Sequence, residues 1–234
     1  MSNALTTFDP TQLPQTYSGN ADDFKDIGKT DYLLRLQLAS KGRAIDIGGV
    51  KPGSYCIPMG DKFQDIGDSI DLLFLARRYK AVDMTDHDAL IVVFDKNSDE
   101  YKRIEAESKV KDSNCMAGVD FLVYESSTGK FLDYHAASGG AAYAAPEMMA
   151  YLPISQADID AQGLKDVKPQ GPRPCNLKSK YIKKKARSFF VPTVHDCSNF
   201  ANPPKFEDVR DQITKFVTEK GTEVVAPDEK RRSR

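Results

Sequence analysis

The residues best suited to do chemistry lie in one stretch, "PRPCNLKSKYIKKKARSFFVPTV" (172–194). It carries two arginines, five lysines and no acid, and ends in paired phenylalanines. The whole chain of 234 residues is almost neutral, at a formal charge of −1, so this concentration is local. Taken as one extended strand, "KYIKKKARSFF" alternates its side chains between two faces. Tyr181, Lys183, Lys185, Arg187 and Phe189 then share a face, with Ile182, Ala186 and Phe190 opposite. Cations that track phosphates, beside rings that stack on unpaired bases at roughly 1–3 kcal/mol per base, suit a single-stranded nucleic acid. Lys178, Lys180 and Arg173 extend the positive field upstream, and "ARRYK" (Arg77, Arg78, Tyr79, Lys80) repeats the mixture elsewhere. The competing interpretation is a solvated strand edge whose lysines discourage aggregation, with the phenylalanines in the core. A turn inside "KKKA" would break the shared face.

Other constellations are weaker. "IGKT" (27–30) ends like a phosphate-binding loop, but Asp23 stands where that loop needs its first glycine. No dinucleotide fingerprint, HExxH or GxSxG occurs, so no catalytic residue and no cofactor are expected. "DMTDHDAL" gathers Asp83, Asp86, His87 and Asp88, either a polar turn or an oxygen-rich cation site of the sort a nuclease uses. His195 and Cys197, with Cys175 and Cys115 or His135, offer a zinc set or a Cys–His pair, but without the paired knuckle spacing of zinc sites. No metal is expected. The four cysteines form no CxxC and read as reduced thiols of a cytoplasmic protein. The N-terminus lacks a basic leader followed by an apolar run, and no segment reaches the roughly 18 apolar residues that span a bilayer.

The elements that must position these residues are mostly strands. Forty per cent apolar content with 12 Phe and 10 Tyr supports a folded body. "SIDLLFLARRYKAVDM" reads as a long strand and "ALIVVFD" as a second, buried one. "GVDFLVYESSTGKFLDYHA" is the clearest hairpin, with Gly129 in its turn. "DYLLRLQLAS" fits a short helix or strand. "SKYIKKKARSFFVPTVHDC" is one long bent strand or a tight hairpin, with Pro192 placing its last part at an edge or a bulge. "NSDEYKRIEAESKVK" predicts an exposed helix. Pro146 and Pro153 are expected to cut "AAYAAPEMMAYLPISQADIDAQG" into pieces, with a capping box at Ser155 and Asp158. "NPPKFEDVRDQITKFVTEKG" predicts a helix capped by Asn202, with prolines in its first turn and one stripe of Phe206, Val209, Ile213, Phe216 and Val217. The expected organisation is a flexible arm (1–30), one β-rich domain (31–221) and a disordered basic tail (222–234). The expected fold is α+β, mainly β: an antiparallel OB-like barrel or strongly bent sheet with helical insertions and a C-terminal packing helix.

This layout resembles the single-stranded-DNA-binding proteins of bacteriophages. The resemblance rests on a barrel-like body from about Ser54 to Cys197, helical insertions, basic-aromatic strands and a closing helix, rather than on a diagnostic motif. "KPGSY", "DFLVY" and "FFVP" also look like segments of phage proteins. The resemblance implies non-enzymatic, sequence-independent coating of single-stranded DNA or RNA during replication, recombination or transcription in the host cytoplasm. Stacking would fall to Tyr79, Tyr181 and Phe189, and replication or transcription proteins and further copies of the chain are the implied partners. The chain departs from that family in ending "EKRRSR" rather than in an acidic tail. The alternative is a viral structural or accessory protein that docks on a larger complex through the same basic surface.

Overall fold

Residues 69–83 alternate poorly between apolar and polar because both faces of the strand they form are covered for half its length. In the computed structural model, which describes residues 9–17, 33–40, 43–59, 62–85, 90–137, 139–184, 187–219 and 223–225, this strand is the spine of the molecule. In chain order the elements are β1 (Leu34–Arg35), β2 (Gln37–Leu38), α1 (Arg43–Asp46), β3 (Tyr55–Met59), β4 (Lys62–Gly67) and β5 (Ser69–Asp83). There follow β6 (Leu90–Val93), α2 (Asp99–Glu107), β7 (Cys115–Glu125), β8 (Lys130–Ala136), α3 (Gly139–Met149) and α4 (Gln156–Gln162). The last are β9 (Pro174–Lys184), β10 (Arg187–Asp196), α5 (Phe206–Thr218) and β11 (Glu223–Val225).

The fold is α+β and mainly β, as expected, but the sheet does not close into a barrel. One eight-stranded sheet runs β1-β8-β7-β5-β6-β11, and β9 and β10 branch from β5; β2, β3 and β4 form a separate three-stranded sheet. The large sheet is mixed, since β1 lies parallel to β8. On one edge β5 pairs with β7 along nearly its whole length. Its other edge is divided: β9 takes Ser69–Leu73 and β6 takes Ala81–Asp83. Between them Tyr17 makes a lone parallel bridge to Arg77. The sheet therefore forks at β5.

A register shift between Phe74 and Ala76 reverses which residues of β5 face which side. Leu72 and Phe74 join the core under α3 with Tyr55, Ile57, Phe121, Leu132 and Met148. Leu73, Leu75 and Ala76 all join the core under α5 with Leu13, Leu122, Val209, Ile213 and Phe216. A smaller core under α2 holds Ala81, Val93, Tyr101, Ile104 and Cys115.

Several local expectations need correction. Pro146 lies within α3, where it does not cut the helix. The cap of α5 is Lys205 without a side-chain hydrogen bond, and both prolines precede the helix. Asn202 instead has a φ of 47° and its carbonyl accepts from the Tyr124 hydroxyl at 2.8 Å, so it shapes the approach to the helix. "ALIVVFD" yields a strand that is only half-buried, apart from Val93; the core under α2 takes Val93 and part of Ile91. Residues 223–225, assigned to the tail, form β11 because "EVV" has the β-branched character to extend the free edge of β6. Within the expected arm, Leu13 is buried under α5 and Thr16 bonds to Asp158. Residues 1–8, 18–32 and 226–234, including "IGKT" and "EKRRSR", lie outside the described residues.

Other expectations hold. The β7–β8 hairpin turns through Gly129 at a φ of 67°, and the capping box of α4 joins Ser155 and Asp158. Among the described residues no helix is long and apolar enough to cross a membrane. Ile213 is fully enclosed between α5 and the sheet. Ile213→Ala is expected to lower the unfolding free energy by about 2–5 kcal/mol, as burial of the lost methylenes and the residual cavity dictate. Urea denaturation, with an unchanged slope, checks it.

Candidate nucleic-acid interface

The four residues of "RRYK" on β5 have opposite fates because they alternate about the strand. Arg78 and Lys80 turn toward α5 and away from solvent. The Arg78 guanidinium donates to Asp120 at 2.9 Å, to the Phe216 carbonyl at 2.9 Å and to Glu219. It lies between the rings of Phe94 and Phe216, at 3.8 and 3.9 Å from their centres. Lys80 donates to Asp133 at 2.5 Å and lies 3.6 Å from Asp120. The expectation that Arg78 and Lys80 bind nucleic acid is therefore overturned: both are internal counter-ions, and their carboxylate partners leave no free charge for phosphate.

His135 belongs to this same buried group, one strand beyond its pairing partner Asp120. Two cations, Arg78 and Lys80, face three carboxylates, Asp120, Asp133 and Glu219. Burial first, and then the charge of Asp120, push the Asp133 carboxyl well above the usual range. Burial works the same way on Asp120, but Lys80, a hydrogen bond from Asp133 and Arg78 outweigh it and hold that carboxyl low. Asp120 Oδ1 and Asp133 Oδ1 are both buried without another hydrogen-bond partner, so a proton kept on Asp133 and offered to Asp120 satisfies both and leaves the group neutral.

Arg77 and Tyr79 point to the other side. Arg77 sits 4.4 Å over the ring of Tyr17, and Lys96 sits 4.2 Å over the ring of Tyr79. Tyr17 meets Tyr79 edge-on at 6.1 Å, and Tyr79 meets the buried Tyr101 at 6.4 Å. Tyr17 and Lys96 left no signal in the sequence; one lies in an aperiodic polar segment and the other in a polar turn.

The stretch 172–194 folds as an antiparallel hairpin. Lys184 pairs with Arg187, Lys183 with Ser188, Ile182 with Phe189, Tyr181 with Phe190 and Lys180 with Val191. The chain thus reverses direction between Lys184 and Arg187, and Phe189 pairs with Ile182, so Tyr181 and Phe189 do not share the expected single face with Lys183. Cross-strand partners share a face. Tyr181 and Lys183 therefore lie with Phe190, while Lys178 and Lys180 lie on the reverse with Ile182 and the half-buried Phe189. Lys185, and the side chains of Lys184 and Arg187, lie outside the described residues.

What the hairpin does bring together is an exposed tyrosine among exposed lysines. Tyr181 is 54% exposed, and its ring lies 5.2 Å from that of Phe190. Lys178, Lys180 and Lys183 are exposed, and none has a carboxylate within ion-pair distance among the described residues. Beyond the pairing of β9 with β5, further contacts root the hairpin. The Ser179 amide donates to the Asp68 carbonyl at 2.8 Å. Phe190 packs over Gly53, where any Cβ would come within 2.6 Å of its ring.

Of the two candidate metal-ligating sets, only part can be placed. Asp86, His87 and Asp88 lie outside the described residues. Among the described residues the one group of three close enough to share an ion is Asp83, Glu107 and Cys115. Arg103 already bridges it, donating to Asp83 at 2.6 Å and to Glu107 at 2.8 Å. Burial and the hydrogen bond to Glu107 push the Cys115 thiol up, away from the thiolate a metal takes. His195 is exposed and bonds to Thr193 at 3.1 Å. No protein-family model, curated protein or solved structure matches the chain significantly.

Burial lowers the His135 imidazole to about 4, so it is neutral in the folded protein at neutral pH. Its folded value lies below its unfolded one, so its contribution is complete above about pH 6.5 and is lost as pH falls toward 4. The total is on the order of 3 kcal/mol. Stability measured by denaturant from pH 8 to 4 should show this decline, and His135→Gln should lack that component.

Proposed function

We propose that the protein binds single-stranded nucleic acid, without catalysis, through the β9–β10 hairpin. The observation that carries this reading is the exposed Tyr181 flanked by Lys178, Lys180 and Lys183, cations with no internal partner among the described residues. A ring free on one side can stack on an unpaired base, and ammonium groups without carboxylates are free to replace the counterions of phosphates. Because the cations lie on both faces of the hairpin, the strand bends around the arm instead of lying along a flat stripe. That geometry favours a flexible single strand over a stiff duplex. A role in phage replication, recombination or transcription extends this reading.

The division of charge over two faces also favours a second reading, an accessory or viral structural protein whose arm enters an acidic groove on a larger complex. An oligonucleotide titration across salt separates the two. Joint replacement of Lys178, Lys180 and Lys183 by alanine should flatten the slope of log K against log salt by about 2, since each phosphate contact on a single strand contributes about 0.7. Tyr181→Ala should weaken binding by roughly 1–3 kcal/mol at every salt concentration and leave the slope alone. Parent-like slope and affinity in the triple variant exclude the hairpin as the interface. Absence of binding by the parent favours the docking reading.

A further inference from the structure

At the fork of the sheet the chain builds a second cationic place, remote in character from the hairpin. Tyr17 enters the gap between β9 and β6, and the Arg77 amide donates to the Thr16 carbonyl at 2.9 Å. Thr16 is itself held by Asp158, through its amide at 2.9 Å and its hydroxyl at 2.7 Å, both within the buried cap of α4. The backbone leading into Tyr17 is thus anchored both to β5 and to the cap of α4. Its ring carries Arg77, and the ring of Tyr79 carries Lys96. Tyr101, buried under α2, backs Tyr79 from the core.

The partners of these two cations are unlike those of their neighbours. Arg78 has three oxygen acceptors, whereas the acceptor at the Arg77 guanidinium is the Met149 sulfur at 3.2 Å, a weak one. No carboxylate pairs with Arg77 or Lys96 among the described residues. A half-buried guanidinium with five donors and a thioether acceptor has donors in reserve. The phenols report the same field. Burial raises Tyr79, yet hydrogen bonding from Tyr17 and the charges of Lys96 and Arg77 bring it below its ordinary value. The Tyr79 hydroxyl thus lies beside Tyr17 and the Lys96 ammonium, at the meeting of the two rings and the two cations.

We infer that Arg77, Lys96 and the Tyr17–Tyr79 hydroxyl pair form a receptor for a phosphate group. The guanidinium fork matches two phosphate oxygens, the ammonium neutralises a further charge, and the phenol supplies a directed donor. Each ring already carries a cation on one face, so the site selects the oxyanion and not a stacked base. This site does not depend on the hairpin.

The test measures the thermal stability of the full chain in inorganic phosphate and in chloride at matched ionic strength, with apparent Kd taken from the phosphate dependence. The parent should be stabilised saturably by phosphate alone. Lys96→Gln, an exposed change that leaves the core untouched, and Tyr79→Phe, which keeps the ring, should each raise the apparent Kd by about tenfold, the loss of one charge-assisted bond. The Lys178, Lys180 and Lys183 triple variant should respond like the parent, even if its oligonucleotide binding is gone. Equal stabilisation by chloride, or parent-like phosphate affinity in both Lys96→Gln and Tyr79→Phe, overturns the inference. Competition by adenosine monophosphate and by a 5′-phosphorylated but not a 5′-hydroxyl oligonucleotide would identify a terminal monoester as the source. Competition by both oligonucleotides would identify the internal diester, and the receptor stands in either case.

Discussion

The register shift in β5 between Phe74 and Ala76 is the constraint on which the rest depends. Upstream of it, even-numbered residues face α3; downstream, they face α5. The shift sends Arg78 and Lys80 into the space beneath the end of α5 and leaves Arg77 and Tyr79 on the opposite side. Burying a guanidinium costs several kcal/mol unless charges and hydrogen bonds compensate. Asp120, Glu219 and the Phe216 carbonyl supply both, so the last turn of α5 is tied to the central strands by one side chain. A one-residue change in strand register would exchange the buried and free cations and unmake the core and the fork together.

Much of the strand content was legible because the relevant signals are local. The β7–β8 hairpin follows from two apolar runs and a glycine turn, and α5 follows from the spacing of Val209, Ile213 and Phe216. The closure of the sheet was not legible. Whether strands return on themselves depends on pairings such as β9 with the first third of β5, and those are set by packing between distant segments. Pro146 illustrates the same limit on a smaller scale, since the helix continues through it while packing against β10 and β8. The expected stripe failed for a sharper reason. Period-two alternation assigns faces only within an unbroken strand, and the reversal between Lys184 and Arg187 moved Phe189 to the side opposite Tyr181.

Charge in this molecule divides by partnership more than by residue type. Arg78 and Arg77 are adjacent in sequence, yet one is sealed among carboxylates and rings while the other borders a sulfur and a tyrosine. The lysines of the hairpin form a third case, exposed and without counter-ions among the described residues. Counting cations in the sequence treated the three alike. Three-dimensional placement separates structural charge from charge available for ligands, and the acids at Asp120 and Asp133, far away in sequence, make the difference.

The seating of Phe190 over Gly53 carries a consequence for the order of assembly. The Phe190 amide also reaches Ser40, 150 residues earlier, at 3.5 Å. The direction of the arm is therefore registered against the smaller sheet and not only against its own turn. Closing so long a loop is entropically slow, and it gains contacts only once both sheets are in place. The arm thus reaches its final pose late, and a chain still collapsing would not yet present Tyr181 and its lysines in their mature arrangement.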